Sequence, residues 1–408
     1  MMSPEEIVTL RTRVRAVVED LLPFESLLLQ CQFAELMQKL EGVRERVRRE
    51  GLWGLSLSRE LGGHGLPLDG FAHLAEEMGR SPLGHYVFGC QAPEVGNIEL
   101  VHHHGTSEQK QNILPLLVTG RARSCFAMTE RNTSGANPTL LTTRARSDGA
   151  GWVIDGEKWF TTAADGAAFC IIMAVTDPGA PPHQRASLFL VPLPHPGLHF
   201  IRNISVMGHV GGGPFSHAEL HFEGCRVGPE HLIGKIGDGF RLAQARLGHG
   251  RIHHCARWIG IAQRALDMMC ERVTGRAISE VKTLSESDLV RSWIGEAAAG
   301  LTAARLFVQH TAKIIEEKGG QAARNEIAMI KFFVADVLSM TVDRALQTHG
   351  AAGVSDDFIL AYFYREERAA HIYDGPDEVH KLSVAKSILK SKGGIDATRS
   401  GYDRSSPR

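Results

Sequence analysis

The sequence has no charge excess, no paired cysteines and no long apolar run, and each absence removes a class of function. Lys and Arg number 45 against 46 Asp and Glu, so no net field draws the chain to nucleic acid or to an anionic membrane. The seven cysteines, at 31, 90, 125, 170, 225, 255 and 270, are odd in number and form no CxxC pair. That leaves no disulfide framework and suits a reducing cytoplasm. The longest apolar stretch, Ala167 to Val175, is too short to cross a bilayer, and the opening MMSPEEIV is not a basic and apolar leader. A soluble, cytoplasmic protein without a membrane span is expected. No GxGxxG closes a strand-like run, which excludes a Rossmann dinucleotide site on pattern, and no internal repeat is visible. Zinc-like spacing is missing as well. His102, His103 and His104 are adjacent, point in different directions and have no cysteine or carboxylate partner at a ligand interval, so no metal is expected.

What the chain does have is a change of period. Its 408 residues can hold two or three domains of roughly 100 to 200 residues each. Residues 1–120 read as helical. Ile7, Leu10, Val14, Val17 and Leu21 step by three and four, as do Phe33, Leu36, Leu40, Val43 and Val47. LGGHGLP (61–67) interrupts before a helix over Asp69–Met78, and Thr106 or Ser107 is placed to cap a short helix in GTSEQKQNILPLLVTG. Over 121–235 the period falls to two: Ser124, Phe126 and Met128 alternate with Cys125, Ala127 and Thr129. Asp155-Gly156, between WVI and EKWF, signals a tight hairpin, and Phe169–Val175, Leu188–Val191 and Ala218, Leu220, Phe222 supply further strands. From 236 to 390 long helical segments return, as in a bundle. The tail 391–408, rich in Gly, Ser, Arg and Asp, is expected to be disordered. The fold class is therefore α+β and multidomain: an N-terminal helical domain, a middle β-barrel or sandwich, and a C-terminal domain like a four-helix bundle.

The stretch with the most chemical content is IYDGPDEVH, Ile372 to His380. It breaks two helical patterns, the second carrying Val379, Leu382, Val384, Ala385, Ile388 and Leu389 at amphipathic spacing. Gly375 supplies backbone freedom, and Pro376, Asp377 and Glu378 suit the first turn of a helix. On these residues alone Asp374 is either a corner cap, since Asp, Gly and Pro dominate turns, or a proton-abstracting base.

Taken in order, these motifs resemble the acyl-CoA dehydrogenase family of flavoproteins over Ile7 to Leu389. The resemblance rests on GTSEQKQNILPLLVTG (105–120), CFAMTE (Cys125 to Glu130), IDGEKWFTT (Ile154 to Thr162), FEGCRV, IGDGF, GRIHHCARWIGIAQRAL, QTHGAAG (Gln347 to Gly353) and IYDGPDEVH. LGHGRIHHC and DGPDEVH look closest to the branch containing human family members ten and eleven. The resemblance implies noncovalent FAD. Thr129 would bond the pyrimidine edge of the flavin, with Met128 joining it through its backbone and Phe126 on the same strand. Thr162 would lie near flavin N5, and Phe160 stands where many members stack a tryptophan. Without the resemblance, Thr129 and Thr162 read as ordinary strand threonines. Arg276 would reach the FAD pyrophosphate of a neighbouring subunit. Gln347, with Gly350 to Gly353, would meet the same cofactor from the partner chain, which implies a homodimer or homotetramer.

The resemblance makes Asp374 the base that removes the α-proton of an acyl-CoA thioester while hydride passes to flavin N5. The product would be the 2,3-enoyl-CoA, and an electron-transferring flavoprotein would accept the electrons. The backbone N–H of Asp374 and a ribityl hydroxyl would stabilise the thioester oxygen. The carboxyl, of ordinary pKa about 3.9, would have to rise in a dry pocket. Arg251 would border this site, a solvated helix-surface arginine being the plain alternative. Gly250, before it, fills the position where some members carry the base. Ser134, Gly135 and Asn137 fall in the loop that helps hold thioester and CoA, and Gly375 lies at the corner. This loop departs from the family: Arg131 replaces a proline, and Gly135, Ala136 and Asn137 replace two serines and an aspartate of the human branch. Ser279 likewise replaces a phenylalanine after Arg276. Two alternatives stay open, a nitroalkane-oxidase-like enzyme acting on a CoA-free substrate and a non-catalytic binding subunit.

Overall fold

The structure, a computed structural model, describes residues 4–393, apart from the side chains of residues 4 and 247–249. Helices come first: α1 (Pro4–Glu19), α2 (Glu25–Leu29), α3 (Phe33–Arg49), α4 (Leu68–Gly79), α5 (Gly84–Val87), α6 (Glu94–His104), α7 (Ser107–Asn112) and α8 (Leu114–Val118). Most positions spaced by three and four are buried, among them Val14 and Val17 of α1, Leu21 just after it, and Leu36, Leu40 and Val47 of α3. Thr106 is the N-cap of α7. Its hydroxyl accepts from Gln109 N while the Gln109 side chain returns to Thr106 N, a reciprocal box that satisfies two orphan donors.

The middle region is a sheet built from β1 (Ser124–Ala127), β2 (Arg144–Ser147), β3 (Trp152–Thr162), β4 (Phe169–Val175), β5 (Ala186–Pro192) and β6 (Leu198–Asn203), followed by a small β7–β8 pair (Ser205–Val206, His209–Val210), β9 (His217–Val227) and β10 (Leu232–Ile233). The strand order is β10-β5-β4-β2-β3-β9-β6, and β1 lies parallel to β4. The expected hairpin at Asp155-Gly156 is not there. Those residues lie inside the unbroken strand β3, where the pairing with β9 shifts register between Ile154 and Gly156. Gly156 has φ of 143°, and a Cβ on it would fall 2.7 Å from the Thr143 Cα. Its glycine serves a bulge and a close backbone approach rather than a turn. The turn is made by an earlier Asp-Gly pair, Asp148-Gly149, where the Asp148 carboxylate accepts from Ala150 N and Gly151 N between β2 and β3.

The chain then returns to helix: α9 (Gly239–Gly275), α10 (Asp288–Lys318), α11 (Arg324–His349), α12 (Ile359–Glu367) and α13 (Asp377–Ser391). α9 packs on α11, α10 and α4, so the N-terminal and C-terminal helices share one hydrophobic core. The spacing read for α13 is helical, but in this chain only Val384 of that set is buried; Leu382 is 60% and Ile388 54% exposed. The expected tail disorder lies outside the described residues from 394 on, while Ser391 still belongs to α13. No helix among the described residues is long and apolar enough to cross a membrane.

Candidate active site

Between a short 3-10 turn (Arg368–His371) and α13 the backbone reverses, and Asp374 sits in the left-handed region at φ 54°. Few residues other than glycine tolerate this, and aspartate is one of them. Its carbonyl is heavily held. Arg251 donates to it from Nε and Nη2 at 3.2 and 3.1 Å, and His380 Nε2 lies 3.1 Å away. Gly375, at φ 99°, is required by that last contact, because a Cβ there would fall 2.8 Å from His380 Nε2. The N–H of Asp374 has no partner among the described residues. The N-cap of α13 is Pro376, with no side-chain cap, so the carboxylate of Asp374 is not a corner cap.

That carboxylate instead faces His254 Nε2 at 3.4 Å, with both side chains mostly buried. The His254 ring stacks on Trp258 and meets Tyr373 edge-on. Burial pushes His254 down to about 4; Asp374 opposes this, and Arg257, Arg246 and Lys331 add to it. The ring is therefore neutral near pH 7 and can donate an N–H to the carboxylate. Residues on both sides of Asp374 are locked. The Tyr373 hydroxyl accepts from Arg257 and Trp258, and Arg257 grips Glu367 with bonds of 2.5 and 2.8 Å. Asp377 takes Lys331 Nζ at 2.9 Å and His371 Nδ1 at 2.6 Å.

The second cluster is on the sheet. Met128 and Thr129 follow β1, and their peptide chain is fixed by a buried ion pair: Lys158 Nζ donates to the Met128 carbonyl at 2.8 Å and to Glu130 Oε1 at 3.0 Å. Glu130 also accepts from Thr142 N, Thr142 Oγ1 and Thr143 N. Burial alone would raise the Glu130 carboxyl, but the Lys158 charge and the threonine donors hold it at about 2 against an ordinary 4.5. This gives a pH prediction. A depressed carboxyl stabilises the fold fully above its unfolded value, and that contribution disappears as the pH falls through the folded value. Unfolding free energy should decline from about pH 4.5 toward about 2, and Glu130→Gln should flatten this part of an acid titration followed by circular dichroism.

Thr129 Oγ1 donates to the Trp159 carbonyl at 2.5 Å, so its lone pairs remain to accept a bond. Phe160, at φ 53°, is 44% exposed. Thr162 Oγ1 lies 3.0 Å from His217 Nδ1, and His217 and His209 both reach Glu366 on α12. Phe126 lies under the Arg246 guanidinium, 4.4 Å from ring centroid to Cζ. Arg131, where the family has proline, pairs with Glu219 at 2.6 Å and covers the Trp159 ring. The loop of Ser134, Gly135 and Asn137 is exposed and passes over Thr129, since a Cβ on Gly135 would lie 3.6 Å from Thr129 Cγ2. The Asn137 side-chain oxygen is spent on Thr139 N and Oγ1.

Within one chain the structure brings Arg251, Gly375 and Asp374 together, but not Arg276 or the Gln347 loop. Arg276 closes α9 about 25 residues beyond Arg251, roughly 37 Å of helix rise. Arg272 reaches the His349 carbonyl at 3.5 Å, which ties the loop of Gln347, Gly350 and Gly353 to that same far end. Gly353 is needed for close packing, a Cβ there falling 2.4 Å from the Leu346 carbonyl, whereas Gly350 faces open space. Sequence reasoning missed His254, although its place three residues after Arg251 on one helix was a usable signal. It also missed Lys158 with Glu130, and His217 with Glu366, for which separate stretches of chain carry no local signal.

Three family models match the chain in order: the acyl-CoA dehydrogenase N-terminal domain over residues 4–121, the middle domain over 125–225 and the C-terminal domain over 237–389. A Mycobacterium tuberculosis relative carrying the name acyl-CoA dehydrogenase FadE2 is 40% identical over 86% of this chain and 85% of its own length. Mouse acyl-CoA dehydrogenase family member 10 is 40% identical over 86% of this chain, which spans only 34% of that relative. Human family member 11 is 38% identical, with 86% of this chain matching 45% of it. A solved Mycobacterium abscessus structure assigned to the acyl-CoA dehydrogenases superimposes with a TM-score of 0.90 at 33% identity, covering 96% of this chain and all of that one.

Proposed function

The chain belongs to the acyl-CoA dehydrogenase family, an FAD-dependent group of oxidoreductases, and from that premise we propose that it oxidises an acyl-CoA thioester to the 2,3-enoyl-CoA, with Asp374 as the base. The residues present fit the cofactor. Thr129 has free lone pairs for the imide N–H of a flavin, Phe160 offers an exposed ring, and Thr162 is held by His217 beside them. Phe126, Met128, Thr129, Phe160 and Thr162 would hold the flavin ring; Arg276, Gln347, Gly350 and Gly353 would meet the cofactor of a second subunit. When bound, FAD supplies the acceptor for the hydride that leaves the β-carbon.

The observation that carries the proposal is the state of Asp374. Its carbonyl is pinned by Arg251 and His380, its N–H has no partner among the described residues, and its carboxylate stands beside a neutral imidazole. One residue thus offers a base and, through its backbone, a donor for the oxygen on which charge develops when the α-proton leaves. Such stabilisation is essential, because a carboxylate is far too weak a base for an unassisted α-proton. Arg251 fixes the peptide that presents both groups. His254 orients the carboxylate without competing for the proton. Ser134, Gly135 and Asn137 border the side from which the thioester would enter, and Gly375 leaves room beside the base. Electrons would pass on to an electron-transferring flavoprotein.

The test is to load the purified protein with FAD and screen acyl-CoA thioesters with an artificial acceptor. Bleaching of the oxidised flavin band by at least one thioester is expected; a protein that takes up no FAD would sink the proposal. Oxidation of a nitroalkane is the second reading, favoured by the loop in which Asn137 is committed to its own turn. Activity on nitroalkanes alone would select it. Arg276→Ala should release FAD on gel filtration while the circular dichroism spectrum stays unchanged. A stable monomer that keeps FAD as firmly as the oligomer would show that no partner residue is needed.

A further inference from the structure

Arg246 has no role in the chemistry above, yet its setting is that of a binding group. It lies on α9 with Gly250 and His254 at intervals of four, so the three share a helix face spanning roughly 12 Å of rise. At one end His254 touches the Asp374 carboxylate. In the middle, a Cβ on Gly250 would meet nothing within 4 Å among the described residues. At the other end the guanidinium is walled by α6, where a Cβ on Gly96 would lie 3.0 Å from it, and by the Phe126 ring. The base and a cation therefore stand at the two ends of one face of α9.

The bonds of that cation are all to neutral groups. Nε donates to Asn97 Oδ1 at 3.0 Å and Nη2 to the Pro93 carbonyl at 3.3 Å, and Nη1 has no partner among the described residues. No carboxylate of the described residues reaches it at ion-pair distance. Glu94, in the same neighbourhood, is spent on Ser124 N and Oγ and is pushed up to about 7 by burial. Burial also pushes Arg246 down to about 10, opposed by the charges of Asp374, Glu99 and Glu94 acting from further off. A part-buried guanidinium bonded only to neutral groups leaves its charge for a ligand to match, and a planar fork with an open N–H is matched to a carboxylate.

We propose that Arg246 is the subsite for a carboxylate at the far end of the acyl chain, so that the substrate class is an ω-carboxyacyl thioester. This rests on the dehydrogenase reading and specifies its substrate. The experiment compares chains of equal length with and without the terminal carboxylate, adipoyl- to sebacoyl-CoA against hexanoyl- to decanoyl-CoA. Binding is read as perturbation of the flavin spectrum in Asp374→Asn holoenzyme, which should not turn over, and kcat/KM is read in the parent protein. At the best length the carboxylated thioester should be preferred by at least about tenfold, the size expected of one charge-assisted pair. Arg246→Gln, which keeps a donor toward Asn97, should erase the preference, and Arg246→Lys should keep part of it. If plain chains bind and react as well as carboxylated ones, the subsite is wrong and the dehydrogenase reading stands. If Arg246→Gln weakens both series alike or shifts the flavin potential instead, the arginine serves the fold or the cofactor and the proposal is overturned. If no thioester of either series perturbs the flavin, both readings fall.

Discussion

Asp374→Asn should keep its FAD and lose reduction of the flavin by an acyl-CoA thioester by roughly 100- to 10,000-fold or more, the range that a positioned base contributes. Asparagine matches aspartate in shape and is among the few residues that accept the left-handed backbone found at φ 54°. The bonds from Arg251 and His380 go to the main-chain carbonyl, so they survive the change, as does the N–H proposed for the thioester oxygen. What is lost is the capacity to take a proton. No neighbour among the described residues replaces it: Gly250 has no side chain, and Asp377 is held by Lys331 and His371. His254 is already depressed by burial to about 4, and the negative charge of Asp374 is the influence that raises it, so neutralising that residue makes the imidazole a still poorer base. Stopped-flow bleaching of the oxidised flavin band, with FAD content as control, decides the matter. Near-normal bleaching in the variant would place the base elsewhere.

Lys158→Met should cost about 3–5 kcal/mol of unfolding free energy, as expected when one member of a buried ion pair is removed. The side chains of Lys158 and Glu130 are 0% and 1% exposed, so the remaining carboxylate would be left charged and unpaired in the sheet. The same lysine holds the Met128 carbonyl, hence FAD affinity should fall along with stability. A denaturant midpoint measured with and without FAD gives both effects. The double variant Lys158→Met with Glu130→Gln should recover part of the loss, because no buried charge remains. A single variant as stable as the parent would show that the pair is not what fixes this strand end.

How legible the molecule was in its sequence depended on how local each cause was. The Thr106 cap was readable because its partner, Gln109, lies three residues away. The corner at Asp374 was readable because aspartate, glycine and proline encode a reversal within a few positions. The hairpin was misplaced because Asp148-Gly149 and Asp155-Gly156 look alike in sequence; the approach of Thr143 to Gly156 makes the second a bulge. Lys158 gave no sign, since a lysine in a strand normally faces water and the carboxylate that draws it inward lies 28 positions earlier. In α13 the apolar spacing was correct for a helix, but spacing alone does not say what covers that face.

α9 carries Arg246, Arg251 and His254 near one end and runs without a break to Gly275, with Arg276 as its C-cap, and this turns helix length into a tolerance. About 25 residues separate Arg251 from Arg276, close to seven whole turns, so the two positions are nearly in phase around the axis. Deleting or inserting a single residue between them would rotate one end against the other by about 100° and shift it by about 1.5 Å. Point substitutions on the solvent side of this rod should be well accepted, whereas any change in its residue count should uncouple the corner at Asp374 from the distant arginine.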